Sequence, residues 1–290
     1  MGEVHVIGSI FQGYSLFEIW GPLWFGIICL LIYAYNRYIL HSPEYELQSS
    51  QVKFFYTGVI LLYILQGSPF TIIADHYLFS AHMVQISVSY FVVVPLIIVG
   101  LPFKWFKKYA WNYKLRTFIK IAGHPWVTLA VFNILFTVYF VPTIFNVIHG
   151  NVVLSTFYQL LMFLYGFFMW WSIMNPVRRV NELGPLVRIA YVFFASLALM
   201  PIGFFFLLVP TAHYSVFQAT AGEIFPLMTA VYDQQLSGGI LKIVQLSSFS
   251  IVMFKIVKSW VWREGDEGHA YNKNVRVVQG IAIQKDDKDK

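Results

Sequence analysis

Seven runs of predominantly apolar residues, each roughly 20 residues or longer, dominate the chain. They are Ile19 to Tyr38, Phe55 to Ile73, Met83 to Leu101, Pro125 to Ile148, Val152 to Ile173, Val187 to Val209 and Gly239 to Val257. A bilayer core about 30 Å thick is crossed by about 20 residues rising 1.5 Å each, so every run has the length of a transmembrane helix. Backbone polar groups in hydrocarbon must be paired within a helix or a closed barrel, and the runs lack the ten-residue alternation of barrel strands. The expected fold class is an all-α integral membrane protein of seven helices. Composition agrees: 58% of the 290 residues are hydrophobic and 12% charged, against a charged fraction of about a quarter in soluble domains.

The basic residues set an expected orientation. Arg37 and Lys53 follow the first run, Lys104, Lys107, Lys108, Lys114, Arg116 and Lys120 the third, and Arg178, Arg179 and Arg188 the fifth; eight more lie from Lys255 onward. All but Lys242 of the 20 Lys and Arg residues thus fall on one side. The positive-inside rule makes that side cytoplasmic, with the N-terminus outside and the C-terminus inside. Lys242, in the outer part of the seventh run, is expected to snorkel outward. The net charge of +6 is explained by this loop bias and carries no nucleic-acid reading.

The domain organisation expected is an extracytoplasmic segment over residues 1–18, a seven-helix domain over 19–260 without internal repeat, and a polar cytoplasmic tail over 261–290. The mixed charges of REGDEGHAYNKN and QKDDKDK predict a largely disordered tail. No Lys or Arg precedes the first apolar run, which favours a retained anchor over a cleaved signal peptide. The single cysteine, Cys29, leaves no disulfide framework and no thiolate metal clamp.

With this orientation, His5, His76, His82, His149 and His213 lie outside or at outer span ends, while His41, His124 and His269 lie inside. The outer acidic residues Glu3, Glu18, Asp75, Glu223 and Asp233 make that face attractive to cations. The stretch DHYLFSAHMVQ, Asp75 to Gln85, concentrates the chemistry. A helix starting near Asp75 places Asp75, His82, Gln85 and Ser89 in one stripe and His76 and Met83 in its neighbour. Neutral imidazole and thioether suit copper, thioether favouring Cu(I), whereas Mg²⁺ or Ca²⁺ want mostly oxygen. The candidate metal residues are therefore His76, His82, Met83, His149, His213, Asp75, Gln85 and Asp233. A single interfacial His is ordinarily hydrogen-bonded or solvated, and Asp75 has an alternative role as a helix cap.

Other features point to packing and topology. His124, in the GHP that opens the fourth run, reads as a helix-start residue. Trp24, Trp170, Trp171 and Trp260 read as packing or interfacial anchors, and Met162, Met169 and Met174 as core. Pro95, Pro142 and Pro201 are candidate kink positions. There is no GxSxG, HExxH or P-loop signature, so no enzyme is expected.

The string SAHMVQISVSYFVVVPLIIVGLP, Ser80 to Pro102, resembles the third-helix signature of the CtaG family of caa3-type cytochrome c oxidase assembly factors. GHP before the fourth run, the aromatic fifth run ending at Asn175 and Pro176, and YDQQLSGGILK, Tyr232 to Lys242, are further points of likeness. The resemblance spans about residues 15 to 260. It implies a multi-pass bacterial plasma-membrane protein, a metallochaperone-like factor of the respiratory chain that handles copper at the outer face. By position, His82, Met83 and Gln85 match the HM.Q segment, and Asp233 and Gln234 the DQ pair. Some relatives carry His directly after that Gln, where this chain has Ile86, so one imidazole fewer is available here. The implied partners are caa3-type oxidase subunits and the lipid bilayer, with self-association open.

Three other readings fit seven spans. A metal-ion or proton transporter or channel needs polar residues along a path, and mid-span positions offer scattered groups such as Ser89 and Asn133. A retinal protein would use Lys242, which sits near its span's start and faces no mid-span carboxylate in the third run. A haem bundle needs axial histidines at depth, whereas these cluster at span ends.

Overall fold

A computed structural model of the chain describes residues 10–110, 117, 120–174, 183–278 and 281–284, with no side-chain description for 107, 109–110 or from 263 onward. Glu3, His5, Lys114, Arg116, Asn175, Pro176, Arg178, Arg179 and residues 285–290 lie outside the described residues, as does the side chain of His269.

The architecture is helical. In chain order the elements are α1 (Leu16–Leu40), α2 (Ser49–Gly67), α3 (Phe70–Tyr77), α4 (Phe79–Gly100), α5 (Phe103–Ala110), α6 (Pro125–Tyr139), α7 (Pro142–His149), α8 (Val152–Met174), α9 (Pro185–Leu208), α10 (Ser215–Ala219) and α11 (Ala230–Asn274). Among the described residues five helices are long and apolar enough to cross a membrane: α1, α4, α8, α9 and α11 through Trp262. Counting each bent pair as one span gives seven: α2 with α3, bent by 56°, and α6 with α7, bent by 83°. The second apolar run is therefore broken where no kink was expected, and the fourth is broken at the candidate kink position Pro142.

The ends and breaks have local causes. A capping box opens α1, with Glu18 N–H donating to Ser15 Oγ and Ser15 N–H to Glu18 Oε2, which satisfies two donors left over at a helix start. Pro69 and Pro142 stand at the bends, where a missing N–H and a rigid φ stop the preceding helix. Gly100 lets α2 and α4 touch, since a Cβ there would meet Phe55 backbone at 2.7 Å. Tyr35 closes this contact by stacking on Phe55 at 3.7 Å and donating its hydroxyl to the Gly100 carbonyl at 3.1 Å.

Among these five helices α4 is the most enclosed and α1 the least. Around α4 lies a core of Phe132, Phe136, Trp170, Tyr191 and Phe249. Large apolar residues such as Leu23, Val152 and Phe254 point outward, as expected where lipid replaces water.

Carbonyls freed inside the bundle are claimed by neighbouring spans. Pro69 offers no N–H to the Leu65 carbonyl, which accepts instead from Gln85 Nε2 of α4 at 2.8 Å and from Thr71 Oγ1 at 3.2 Å. Pro95 likewise offers none to Phe91, whose carbonyl accepts from Ser248 of α11. Trp170 Nε1 donates to the Tyr90 carbonyl at 2.8 Å, in a π-helical turn of α4. At the break within α9, Lys242 Nζ donates to the Leu199 carbonyl at 2.8 Å and to Gln245 Oε1 at 3.1 Å. Lys242 therefore turns inward, contrary to the expected outward snorkel, toward a carbonyl that also accepts from the Gly203 N–H at 3.3 Å.

The tail also differs from expectation. Helix α11 continues to Asn274, and Val275–Val278 (β1) pairs antiparallel with Ile281–Gln284 (β2). Alternating Val and Ile residues supply the strand pattern that the mixed charges concealed.

Candidate metal centre

The third span starts later than its polar stripe suggested. Asp75 and His76 lie in a π-helical turn, Ile73–Tyr77, that ends α3; Leu78 is extended, and α4 begins at Phe79. The two residues therefore hang from the bent end of the second span and do not share a helix face with His82. Leu78 interrupts the 3.6-residue period on which that stripe depended.

The bend nevertheless returns them to His82. Asp75 Oδ1 lies 3.6 Å from His82 Nδ1, beyond hydrogen-bonding distance. The 83° bend between α6 and α7 carries His149 to the same place: its Nε2 donates to the Asp75 carbonyl at 2.6 Å, and its ring centroid is 5.7 Å from that of His82. His76 stands at the rim, 6.5 Å from the His149 ring and stacked on Tyr14 at 5.9 Å. Asp75, His76, His82 and His149 are thus brought together by three span ends.

The pocket wall is aromatic. Phe145 stacks on His149 at 5.2 Å and meets His82 edge-on at 5.4 Å; Phe79 and Phe217 complete the surround. Phe145 and His149 are four apart on α7, hence on one face. His82 is 1% exposed, and its Nε2 lies 3.0 Å from the Tyr139 hydroxyl. Its Nδ1 is buried without a hydrogen-bond partner.

The other predicted residues are engaged elsewhere. Met83 is wholly buried in the main core. Gln85 is committed to the Leu65 carbonyl. His213 faces Phe205, with Nδ1 2.7 Å from the Thr211 carbonyl. Asp233 accepts from Phe79 N–H at 2.6 Å and Ser80 N–H at 3.0 Å, capping the first turn of α4 from α11. Gln234 braces the turn before α10, accepting from His213 N–H and donating to the Thr211 carbonyl.

Tyr139 and the aromatic wall were absent from the sequence reading. The sequence signal for Tyr139 was weak: a tyrosine three residues before Pro142, hence at the edge of a break. Among the described residues no three His, Cys, Asp or Glu side chains already form a metal-holding group. The donors still fit an ion. The 3.6 Å between His82 Nδ1 and Asp75 Oδ1 is less than two metal–donor bonds of about 2.0 Å, so one ion can touch both. His149 is held in the Nε2–H form by a carbonyl that can only accept, leaving Nδ1 with its lone pair.

The family model for the cytochrome c oxidase caa3 assembly factor, Caa3_CtaG, matches residues 31–263, most of the chain. The chain belongs to that family. No curated protein and no solved structure matches it. The CtaG match includes α2 through Trp262 of α11, and so every helix that contributes to the histidine pocket.

Proposed function

We propose that this CtaG-family protein assists assembly of a caa3-type oxidase by holding copper, as cargo, at the outer face of the plasma membrane and passing it to an oxidase subunit. The supporting observation is the buried, unpartnered His82 Nδ1 facing Asp75, with His149 beside it. Two imidazoles and a carboxylate suit Cu(II), and the thioether that would favour Cu(I) is packed into the core. Few donors at the end of a bundle suit transfer better than storage. The role is non-enzymatic, in a seven-span protein with its N-terminus outside and its tail inside, as the loop charges require.

His82→Ala tests this. The change removes an imidazole that Met83 and Gln85 cannot replace, while Ala is a good helix former. Membrane levels stay near normal, and copper content and oxidase activity fall together. His41→Ala, at the opposite, basic end, changes neither. Normal oxidase spectra in His82→Ala cells at limiting copper would refute the proposal.

A transporter is less well supported: Ser89 Oγ and Asn133 Oδ1 are buried without a partner, but Ser87 donates to the Met83 carbonyl, Ser172 to Phe168, Ser237 to Asp233 and Asn133 Nδ2 to Leu129, so these polar groups are tied to helix backbone. Liposomes carrying the protein are expected to show no copper uptake above protein-free controls.

A further inference from the structure

We infer that Asp233 is the positioning residue of the His82 site: it acts as an N-cap supplied in trans and sets where His82 stands, without touching the metal. This rests on the copper reading above for its purpose, though the geometry stands independently.

Helix α4 starts with a defect. Its N-cap residue is Leu78, whose side chain accepts nothing, so the first N–H groups have no local acceptor. In water such donors are solvated; here Phe79 and Ser80 are buried, and unpaired donors in a buried helix start are strongly disfavoured. Both donate instead to one carboxylate, Phe79 N–H to Asp233 Oδ2 and Ser80 N–H to Oδ1. Asp233 is itself 4% exposed and lies 153 residues along the chain from Ser80. A negative charge at this end also complements the helix dipole.

The consequence for His82 is geometric. It lies less than one turn after the capped pair, and its own N–H donates to the Leu78 carbonyl at 3.0 Å. The carboxylate thus fixes the height and rotation of the first turn, which aims Nδ1 at Asp75 and Nε2 at Tyr139. Both oxygens of Asp233 are occupied by backbone donors, which leaves the carboxylate a structural task. Two motifs far apart in sequence, the HM pair and the DQ pair, then form one unit, a helix start and its cap.

A rescue experiment separates a cap from a ligand. In Asp233→Ala the amides of Phe79 and Ser80 exchange faster, by about fivefold to thirtyfold for loss of one cap. The ¹⁵N ring signals of His82, assigned in the metal-free protein by comparison with His82→Gln, shift away from their wild-type positions. Adding Leu78→Asp supplies an acceptor at the helix's own N-cap position. The Leu78→Asp/Asp233→Ala protein is expected to regain slow exchange at Ser80, the amide within reach of an N-cap side chain, together with wild-type His82 ring signals, and to recover Cu(II) affinity in step. A mere stability defect would lower the folded fraction without moving the ring signals of the molecules that remain folded. The inference is overturned if Asp233→Ala leaves the His82 ring signals unchanged, or if Leu78→Asp restores exchange but not the ring signals. Because exchange and ring signals are read without copper, a wild-type protein that binds none would refute the copper reading alone.

Discussion

The Tyr139 hydroxyl stands 3.0 Å from His82 Nε2 at a place where both residues are 1% exposed. An imidazole held on one nitrogen and open on the other is the arrangement that outer hydrogen bonds impose on metal-binding histidines. In the tautomer that donates Nε2–H to the hydroxyl, Nδ1 presents its lone pair toward Asp75.

Tyr139→Phe keeps the ring and removes this anchor. Copper affinity is expected to fall about 10-fold to 100-fold, with membrane levels near wild type. Competition titration against a chelator of known affinity measures it; an unchanged affinity would show that the hydroxyl does not orient His82.

Gln85→Leu is expected to behave as a structural variant. It removes the Nε2 donor to the Leu65 carbonyl at the bend between α2 and α3, leaving Thr71 as that oxygen's remaining side-chain donor. The loss should be about 1–3 kcal/mol, read as a lowered unfolding midpoint in detergent. Copper affinity of the folded protein stays close to wild type, whereas a tenfold loss would make Gln85 a ligand.

Gly203 and Lys242 are expected to be coupled. A Cβ on Gly203 would run into the Lys242 side chain where it reaches the Leu199 carbonyl. Gly203→Ala should destabilise the wild type but cost little once Lys242→Ala has emptied the space. Equilibrium unfolding of the four proteins should give a coupling of about 0.5–3 kcal/mol, and strict additivity would deny the contact.

Topology is open to direct measurement. A reporter fused after residue 290 should register the cytoplasm, and one inserted near Glu223 the outside. The reverse pattern would move the histidine pocket to the cytoplasmic face and remove the argument for delivery outside.

The helical class and apolar runs were readable because hydrocarbon thickness sets a length that any sequence must meet. The convergence of His76, His82 and His149 was partly readable, since charge bias gathers them on one face. The breaks were harder. Pro142 was a candidate kink, but nothing local to Pro69 or Pro142 gives an angle, and the 56° and 83° bends bring Asp75 and His149 to His82. Gln85, Asp233 and Lys242 carry the same polar chemistry whether they bind a ligand or a backbone group. Their partners, Leu65, Phe79 with Ser80, and Leu199, are fixed only by packing of distant spans, which residue spacing does not encode.

The stitching of freed carbonyls also bears on the order in which this chain can be built. Helix α4 emerges from the insertion machinery with its Phe91 carbonyl and its first two N–H groups unmatched, and the groups that satisfy them, Ser248 and Asp233, both belong to the last span. The third span to be made is completed by the last. If Asp233 positions His82 as proposed, a chain that ends before Ala230 is expected to lack the cap of α4 and, with it, a fixed place for His82.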